Sequence, residues 1–480
     1  MNFTYKQIWL INYPVMMSLL MEQLINMTDA VFLGRVGEVE LGASALACMY
    51  YLAIYMLGFG FGLGIQVLVA RKNGEGQWDE TGKVFWQGQY FLLALALGLC
   101  LLSELFSPFL LRRMIASEAV WQAVVSYVSG RNFGLFFAFP VLAFRSFFVG
   151  ITKTKILIVN SVLMVLVNVV LNYVLIFGRF GFPVMGISGA AIASSLAEGF
   201  SLLFFVFYVW QKVDRKHFGL MPSFNWVLLR QLCRLSVWTM IRSFVCVIPW
   251  FYFFVVIEHL GESQLAIANI IRNVFTLFFV IMNSFATTTS ALVSNLVGAG
   301  ELRLVMPLCR KVIRLSYGVG TPLVLVALLF PAVVLRVYTN DEGLVGGAFW
   351  PYVVMLTNYF LAVPGYVYCN AVIGTGHTRT AFVFQLITIT GYVGSLLLLS
   401  SFKEVPLAVF WTADHVHVLL LFFLSYLYMR KRYKQFNGGV SKFPLSFLCW
   451  PTYKVKSKKI VLYKIKLFLC KVTRFKRYYK

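Results

Sequence analysis

Long apolar stretches, separated by short polar connections, follow one another along the chain up to about residue 429. Each stretch reaches or exceeds the roughly 20 residues that a helix needs to cross a bilayer. We count twelve such stretches, with predicted limits of 8–33, 44–70, 84–107, 124–150, 156–177, 186–211, 232–257, 266–297, 310–336, 348–374, 380–401 and 405–429. The pattern therefore predicts an all-α polytopic membrane protein with 12 transmembrane helices and no sizeable inserted soluble domain.

The two halves of the chain repeat each other at an offset of 224 residues. The coincidences run without a gap over four helices and include Gly37 with Gly261, Leu68 with Leu292, Gly74 with Gly298, Pro140 with Pro364, Gly150 with Gly374 and Thr154 with Thr378. Because each half holds six helices, both halves enter the membrane from the same side. We expect two pseudo-symmetric six-helix lobes around a central cavity, whose rocking would give alternating access.

The repeat and the connections between the helices suggest three parts. The N-terminal lobe with the start of a linker occupies 1–217, the C-terminal lobe 218–430, and a basic cytoplasmic tail 431–480. From Arg430 onward the chain holds 16 lysines and arginines and no acid. Two interpretations of this tail stay open. It could lie on anionic lipid as an amphipathic segment, or it could be a dispensable or altered C-terminus, which we favour.

The composition supports a membrane protein. Of the 480 residues, 60% are hydrophobic and 12% are charged, whereas soluble proteins carry about 25% charged residues. The net charge of +24 is large enough for nucleic-acid binding, but the basic residues concentrate in short connections and in the tail. Fifteen lysines and arginines lie in or beside one set of connections and six in the other. The positive-inside rule then places both termini in the cytoplasm. We expect a lipid bilayer around the chain and no nucleic-acid partner.

The sequence predicts no disulfide framework, no zinc site and no cleaved signal peptide. The eight cysteines are scattered, and no pair has the spacing of a disulfide framework or a zinc site. The first apolar segment is too long for the apolar core of a signal peptide, so we expect it to remain as a helix.

Acidic residues occur inside that first segment. At 3.6 residues per turn, Glu22, Asn26 and Asp29 lie on one face of the helix. A carboxylate at mid-membrane costs about 2.5 kcal/mol or more, so such groups usually face a bundle interior or a water-filled cavity. We interpret this face as the ion-handling centre of a transporter. The alternative is that one acid pairs with a buried arginine, or that Glu22 lies near a membrane interface.

The fifth and sixth segments carry polar side chains that could face Asp29. Asn168 and Asn172 share a helical face, and amide oxygens can coordinate a cation or accept a hydrogen bond from a protonated acid. Alone, the pair would be explained by hydrogen bonds between helices; opposite Asp29 it becomes a plausible ion shell. The small residues that open the sixth segment favour close helix packing, but Ser194 could offer an oxygen to the same site. Glu198, one turn further, is a third intramembrane acid with an open role.

Two other polar groups lie inside apolar segments. Arg145 stays charged when buried, so it should pair with an acid or reach an interface; Asp29, Glu22 and Glu198 are its candidate partners. His415 and His417 beside Asp414 suggest a metal site or a membrane-embedded enzyme. Histidines two residues apart do not share a helical face, and no second set of ligands accompanies them. We favour a proton-relay or packing role, and we expect neither an enzyme nor a cofactor.

Several motifs resemble those of the multidrug and toxic compound extrusion (MATE) transporters. The similar stretches are 29–37 at the end of the first helix, Gln66–Gly76 after the second, the paired loops 150–154 and 374–378, and 177–193 at the junction of helices 5 and 6. Together they span about residues 8–430 and leave the tail outside.

The resemblance implies a V-shaped pair of lobes in a bacterial inner membrane. Such a protein would export a drug or metabolite, a small and cationic or amphipathic molecule, in exchange for Na+ or H+, and we expect it to be a monomer. A flippase for lipid-linked saccharides, from the same superfamily, is the alternative. It would need a strongly cationic cavity, and this chain offers few bases there beyond Arg145, Arg242 and Arg272.

The resemblance also implies a set of coupling residues. One subgroup of the family binds its cation with an aspartate on helix 1, an Asn-x-x-x-Asp pair on helix 5, and an alanine and a threonine on helix 6. The matching positions here are Asp29, Asn168, Asn172, Ala190 and Ser194. Asn172 replaces an acid, which removes one negative charge. Further candidates for coupling or substrate contact are Glu22, Asn26, Gln66, Arg145 and Glu198.

Overall fold

The computed structural model describes residues 2–115, 117–338, 341–402 and 405–437, except for the side chains of Glu38, Glu258, Glu262 and 433–437. Contacts group Met1–Tyr433 into one compact unit. The second unit, Lys434–Lys480, which holds most of the predicted basic tail, lies almost wholly outside the described residues.

Every regular element in the described ranges is a helix, and no strand occurs in them. The α-helices, in chain order, are α1 Tyr5–Gly34, α2 Glu38–Gly74, α3 Trp78–Met114, α4 Glu118–Gly150, α5 Lys155–Phe177, α6 Gly186–Lys212, α7 Trp226–Val245, α8 Ile248–Glu258, α9 Glu262–Gly298, α10 Val305–Leu329, α11 Pro331–Arg336, α12 Glu342–Gly374, α13 Thr378–Ser400, α14 Leu407–Phe410 and α15 Thr412–Asn437. A 3-10 turn, Leu302–Leu304, precedes α10.

Twelve helical segments of the described chain are long and apolar enough to cross a membrane, which confirms the predicted number. Three of them are less regular than the sequence suggests. The seventh consists of α7 and α8, which are separated at residues 246–247, and the twelfth consists of α14 and α15. The predicted ninth segment, 310–336, is interrupted at Phe330, because Pro331 at the start of α11 lacks the N–H that would continue the helix.

Side-chain caps explain where several helices begin. Thr4 forms a reciprocal capping box with Gln7 at the start of α1, and Ser117 accepts from the backbone of the first turn of α4. Asn225 and Asp341 cap α7 and α12 in the same way. Each cap satisfies backbone N–H groups that have no partner inside the helix.

The repeat seen in the sequence is also present in the helix limits. α2 and α9 begin and end at positions that differ by 224 residues, and so do α4 and α12. The same hydrogen bond recurs in each half: the hydroxyl of Thr154 donates to the Ile11 carbonyl at 2.9 Å, and that of Thr378 donates to the Leu235 carbonyl at 2.8 Å. These donors and acceptors also differ by 224 residues, so the repeat extends to individual contacts.

The two halves make close contact at one end of the bundle, where α2 packs against α9. A Cβ added to Gly74 would lie 2.1 Å from the Asn295 carbonyl oxygen, and one added to Gly298 would lie 2.1 Å from that of Arg71. The Asn73 amide donates to the Asn295 side chain at 2.7 Å. Only glycine allows the two backbones to approach this closely, so the bundle is closed at this end. We call this contact between Arg71, Asn73 and Gly74 of α2 and Asn295 and Gly298 of α9 the closed end.

The loop before α13 adds a polar layer to the closed end. Arg71 donates to the Thr375 carbonyl at 3.0 Å, across 304 residues of sequence. Burial, with Arg432 and Arg71 nearby, lowers the pKa of His377 to about 4. His377 therefore remains neutral near neutral pH, and its titration does not alter the charge of the closed end there.

We expect Gly298→Val to hold the closed end apart, because the new side chain would overlap the Arg71 carbonyl. The measurement is the rate at which an Asn73→Cys thiol reacts with a membrane-impermeant reagent, and the rate should rise in the valine variant. Gly318→Val is the matched control, since nothing lies within 4 Å of a Cβ added there. Equal rates with and without Gly298→Val would show that this contact does not keep the end closed.

Candidate functional site

Asp29 lies near the C-terminal end of α1, on the part of the helix that packs against α5. Its side chain is buried, with 8% of its surface exposed. One carboxylate oxygen accepts a hydrogen bond from the Asn172 amide at 2.6 Å, and the other accepts from the Ser194 hydroxyl at 2.9 Å. The prediction that Asp29 faces the bundle interior is therefore correct.

The residues predicted around Asp29 close a ring of hydrogen bonds. Asn172 also donates to the Asn168 side-chain oxygen at 3.1 Å, one turn away on α5. Asn168 in turn donates to Ser194 on α6 at 3.0 Å. Both asparagines are fully buried. We call Asp29, Asn168, Asn172 and Ser194 the Asp29 ring; it joins α1, α5 and α6.

The Asp29 ring contains no positively charged side chain. None of the ion pairs found in the described ranges includes Asp29, so its two donors are neutral side chains. The Asn172 side-chain oxygen is buried and has no hydrogen-bond partner in this part of the chain. A flip of the Asn172 side-chain amide would exchange its oxygen and its NH2 group, so that the oxygen would face the Asp29 carboxylate. That arrangement suits a protonated Asp29, or a Na+ ion held by carboxylate, amide and hydroxyl oxygens.

Three of the other candidates do not join this ring. Ala190 is buried on α6, one turn before Ser194, in an apolar cluster with Leu33 and Ile176. Asn26 is exposed. Gln66 lies instead on the contact between α2 and α9. Its amide donates to the Thr287 carbonyl at 3.0 Å and to the Ser290 hydroxyl at 2.9 Å.

The structure selects Glu22 as the partner of Arg145. The two side chains form an ion pair between α1 and α4, and the guanidinium also donates to Ser18 at 3.3 Å. Of the three candidate partners, Asp29 and Glu198 are therefore not used by Arg145. The open alternative that one acid of the first helix pairs with an arginine is correct for Glu22.

Glu198 pairs with Arg131, a residue that the sequence analysis missed. The Arg131 guanidinium on α4 donates to the Glu198 carboxylate on α6 at 3.0 Å. It also lies over the Tyr51 ring, 4.1 Å from the centroid. A signal was available, because Arg131 falls inside the predicted fourth segment, where a charged side chain needs a partner.

A small cavity of about 50 Å³ lies between helices of the two halves. Side chains of α1, α2, α4 and α5 line it from one half, and side chains of α9 line it from the other. They include Leu19, Phe59, Gln66, Arg145, Asn283 and Thr287. Arg145, the partner of Glu22, thus borders the space between the halves, whereas neither Glu22 nor Asp29 lines the cavity.

The histidines of α15 do not assemble a metal site in the structure. The His415 ring is hydrogen bonded to the Thr357 hydroxyl at 3.1 Å, whereas His417 is buried against the Tyr392 ring. No group of three or more histidine, cysteine, aspartate or glutamate side chains with metal-binding geometry occurs among the residues that the structure describes.

Comparison with protein families tests the resemblance. The MatE family model matches residues 14–174 and 240–397, which together make up more than half of the chain. The chain belongs to the MatE family. The first matched range of the MatE model includes Asp29, Asn168 and Asn172, and it ends before the ring residue Ser194 on α6.

Relatives of this MatE protein carry the name "probable multidrug resistance protein NorM". The relative from Thermotoga maritima is 24% identical over 427 residues, which are 86% of this chain and 90% of that protein. The relative from Agrobacterium fabrum is 25% identical over 303 residues. That match covers 62% of this chain and 65% of the relative, so it spans slightly less than two thirds of that protein's length.

Solved structures of similar fold confirm the architecture of the MatE chain. A MOP superfamily transporter from Pyrococcus furiosus superimposes with a TM-score of 0.84 at 18% identity, covering 90% of this chain and 96% of that one. A Vibrio cholerae MATE transporter superimposes with a TM-score of 0.80 at 16% identity, covering 90% and 97%. At these identities the likeness establishes the fold alone.

Proposed function

We propose that this protein is a secondary active efflux transporter that exchanges Na+ or H+ for a small amphipathic organic molecule. The observation that carries the proposal is the Asp29 ring: a buried carboxylate that accepts from two neutral donors and forms no ion pair within 4.0 Å with any described side chain. A permanent ion pair would fix the charge, as in Glu22–Arg145. A carboxylate without one can bind and release a mobile cation. The NorM names of the relatives support drug export as the physiological direction.

Alternating access supplies the mechanism. Ion binding can shift a conformational equilibrium only if the ion binds one arrangement more tightly than the other. The Asp29 ring can differ between the two arrangements. When Asp29 binds a cation or a proton, the Asn172 side-chain oxygen should face it; when Asp29 is a free carboxylate, the Asn172 N–H should face it. We propose that this exchange alters the packing of α1 against α5 and α6 and is transmitted to the lobe 218–430.

The position of the closed end suggests which side of the membrane the cavity is open to. The connections that carry the basic residues include those after Gly74 and before Thr378, which the positive-inside rule assigns to the cytoplasm. With that orientation, we propose that the closed end seals the cytoplasmic side and that this arrangement belongs to the outward-facing part of the cycle. The ion would then reach Asp29 from outside, down its gradient.

Reconstitution into proteoliposomes tests the proposed function. Export of a fluorescent dye is measured with a Na+ gradient and with a pH gradient, each imposed separately. We expect one of the two gradients to drive dye movement, and the other to have at most a small effect. If neither gradient drives movement of any member of a panel of cationic, neutral and anionic dyes, the proposed function is wrong.

Asn172→Asp should increase the apparent affinity for the coupling cation. The variant places a second carboxylate beside Asp29, at a position where the donor and acceptor are now 2.6 Å apart. Two acids this close cannot both remain ionised without a cation or proton between them. The measurement is the cation concentration that gives half-maximal transport, and we expect it to fall by about tenfold. Asn160→Asp is the control, since Asn160 is a buried amide on the same helix that bonds to Ser201. An unchanged or higher half-maximal concentration for Asn172→Asp would contradict the assignment.

A further inference from the structure

The 224-residue repeat gives the second half a polar network at the positions equivalent to those around Arg145. In the first half, Arg145 on α4 pairs with Glu22 and donates to Ser18, both on α1. The equivalent positions in the second half, in the same order, hold Cys369, Cys246 and Arg242. The repeat therefore also has an arginine in this network, but on its first helix, and a thiol stands where the first half has the carboxylate.

Arg242 is a buried cation without a carboxylate. Its side chain lies on α7 and is 7% exposed. One guanidinium nitrogen donates to the Cys369 sulfur on α12 at 3.6 Å, which is a weak acceptor. The Nε atom is buried and has no hydrogen-bond partner, and no described acid, Asp414 included, lies within 4.0 Å of the guanidinium.

This arrangement is costly unless an anion completes it. An arginine stays protonated in proteins, and a charged side chain in the membrane interior is normally paired. Arg145 and Arg131 follow that rule, each with its own glutamate. Arg242 retains five N–H donors for one weak sulfur acceptor, which is the donor geometry that binds a carboxylate or sulfonate through two hydrogen bonds.

The surroundings of Arg242 indicate the rest of the ligand. Tyr366 and Cys246 lie near the guanidinium. The Tyr366 ring lies edge-on to Phe279 of α9, with the centroids 6.1 Å apart. Cys246 is partly exposed. Arg145, the repeat equivalent of Cys369, lines the cavity between the halves. From the repeat we expect the Arg242 network to face the same space between the halves. Arginine beside aromatic rings suits an aromatic body that carries an acid group.

We propose that Arg242 binds the carboxylate or sulfonate of an exported aromatic molecule. This inference rests on the proposed efflux function and specifies its substrate class. It adds an anionic group to the cationic or amphipathic substrate expected from the sequence: the substrates include organic anions and zwitterions, whose negative group lies at Arg242. In this proposal the anion at Arg242 belongs to the transported molecule. The alternative, a chloride ion that remains bound at Arg242, is distinguished by the labelling of Cys246.

Transport of two dyes with the same ring system tests the proposal. Fluorescein is anionic and rhodamine 123 is cationic, and both are built on xanthene. In proteoliposomes, Arg242→Gln should lower the ratio of fluorescein to rhodamine 123 export by about tenfold or more, because a charge-assisted hydrogen bond to the substrate is lost. Arg379→Gln is the control, since Arg379 is exposed and lies over the Trp238 ring. An unchanged ratio in a folded Arg242→Gln protein overturns the proposal.

Cys246→Glu provides a second variant that does not remove the arginine. It restores, at the repeat position of Glu22, the acid that the second half lacks, and an internal ion pair would then satisfy Arg242. We expect a protein at least as stable as the wild type, with the same fall in the ratio of fluorescein to rhodamine 123 export. A stable Cys246→Glu protein that keeps the wild-type ratio contradicts a role for Arg242 in anion binding.

Labelling of Cys246 tests the site without relying on transport. In a protein that keeps Cys246 as its only cysteine, an anionic methanethiosulfonate should react about tenfold faster than a cationic one, and Arg242→Gln should remove the difference. Fluorescein should slow the reaction in chloride-free buffer. Protection by chloride alone, with no further effect of fluorescein, or equal rates for both reagents would overturn the proposal. If no dye is exported but the labelling follows the prediction, the efflux function fails and the anion site stands.

Discussion

Asp29→Asn should abolish ion-driven export while leaving the protein folded. The substitution keeps the size and most of the hydrogen bonds of the ring, because the new amide oxygen can still accept from Asn172 and the new N–H can donate to the Ser194 hydroxyl oxygen. It removes the only negative charge in the ring, and with it the group that a proton or Na+ ion would visit. We expect gradient-driven dye export to fall by about a hundredfold or more, which corresponds to roughly 3 kcal/mol. The measurement is the initial rate in proteoliposomes.

Glu104→Gln is a closely matched control for Asp29→Asn. Glu104 lies on α3 inside a membrane-spanning segment, and it too accepts from an asparagine and a serine: Asn132 at 2.7 Å and Ser129 at 3.2 Å. It differs from Asp29 in being exposed. We expect near wild-type export from the Glu104 variant. Export by Asp29→Asn at the Glu104→Gln rate would remove Asp29 from the coupling mechanism.

Breaking the Arg131–Glu198 ion pair should have the largest effect on stability. Both side chains are largely buried, 11% and 16% exposed, and the second carboxylate oxygen of Glu198 already lacks a partner within the described chain. Arg131→Met leaves a buried carboxylate uncompensated, and such a change costs about 3 kcal/mol or more in free energy of unfolding. Replacing both residues, as Arg131→Met with Glu198→Met, should restore much of that loss. Thermal unfolding of the purified protein in detergent measures both.

The exposed ion pair of Arg112 with Glu118 is the control for this experiment. These side chains are 49% and 53% exposed, so Arg112→Met should cost less than about 1 kcal/mol. A stability of Arg131→Met equal to that of Arg112→Met would mean that Glu198 can stay charged, or take up a proton, without its arginine. Glu198 would then be a candidate for a second coupling acid.

Much of the Asp29 ring could be predicted because it depends on helical spacing. Asn168 and Asn172 lie four residues apart, so they had to share a face, and Asp29 lies in a segment long enough to cross the membrane. Ser194 was a weaker prediction: its hydroxyl could offer an oxygen, but the small residues around it are equally explained by close helix packing, and only the family resemblance assigned it to the ion site. The exposed position of Asn26 was not predictable, since its face of α1 is set by the helices packed around it.

The ion pairs show where sequence reasoning ends. Arg145 had three possible acids, and the choice of Glu22 depends on how α1 and α4 approach each other, which no local pattern encodes. Arg131 was not predicted, although its place in an apolar segment indicates a buried charge that needs an acidic partner. The interruption after α7 was also missed, although the sequence carries a signal for it: Pro249, in the first turn of α8, lacks the N–H that would bond to the Val245 carbonyl.

The 224-residue offset predicted more of the structure than any single motif. It gave the equivalence of α2 with α9 and of α4 with α12, and the glycines that it paired, Gly74 and Gly298, are those at the closed end. What the offset could not give is the state of the bundle, since closure at one end is a property of the packed halves.

Infrared difference spectroscopy of the reconstituted protein tests the central claim most directly, because it reports whether the Asp29 carboxylate itself changes state when a coupling ion binds. Spectra are recorded on addition of Na+ and on lowering the pH, for the wild type, Glu104→Gln and Asp29→Asn. We expect a carboxyl band to change for one of the two ions in the wild type and in Glu104→Gln, and this change to be lost in Asp29→Asn. The same band change in Asp29→Asn as in the wild type would contradict the central claim.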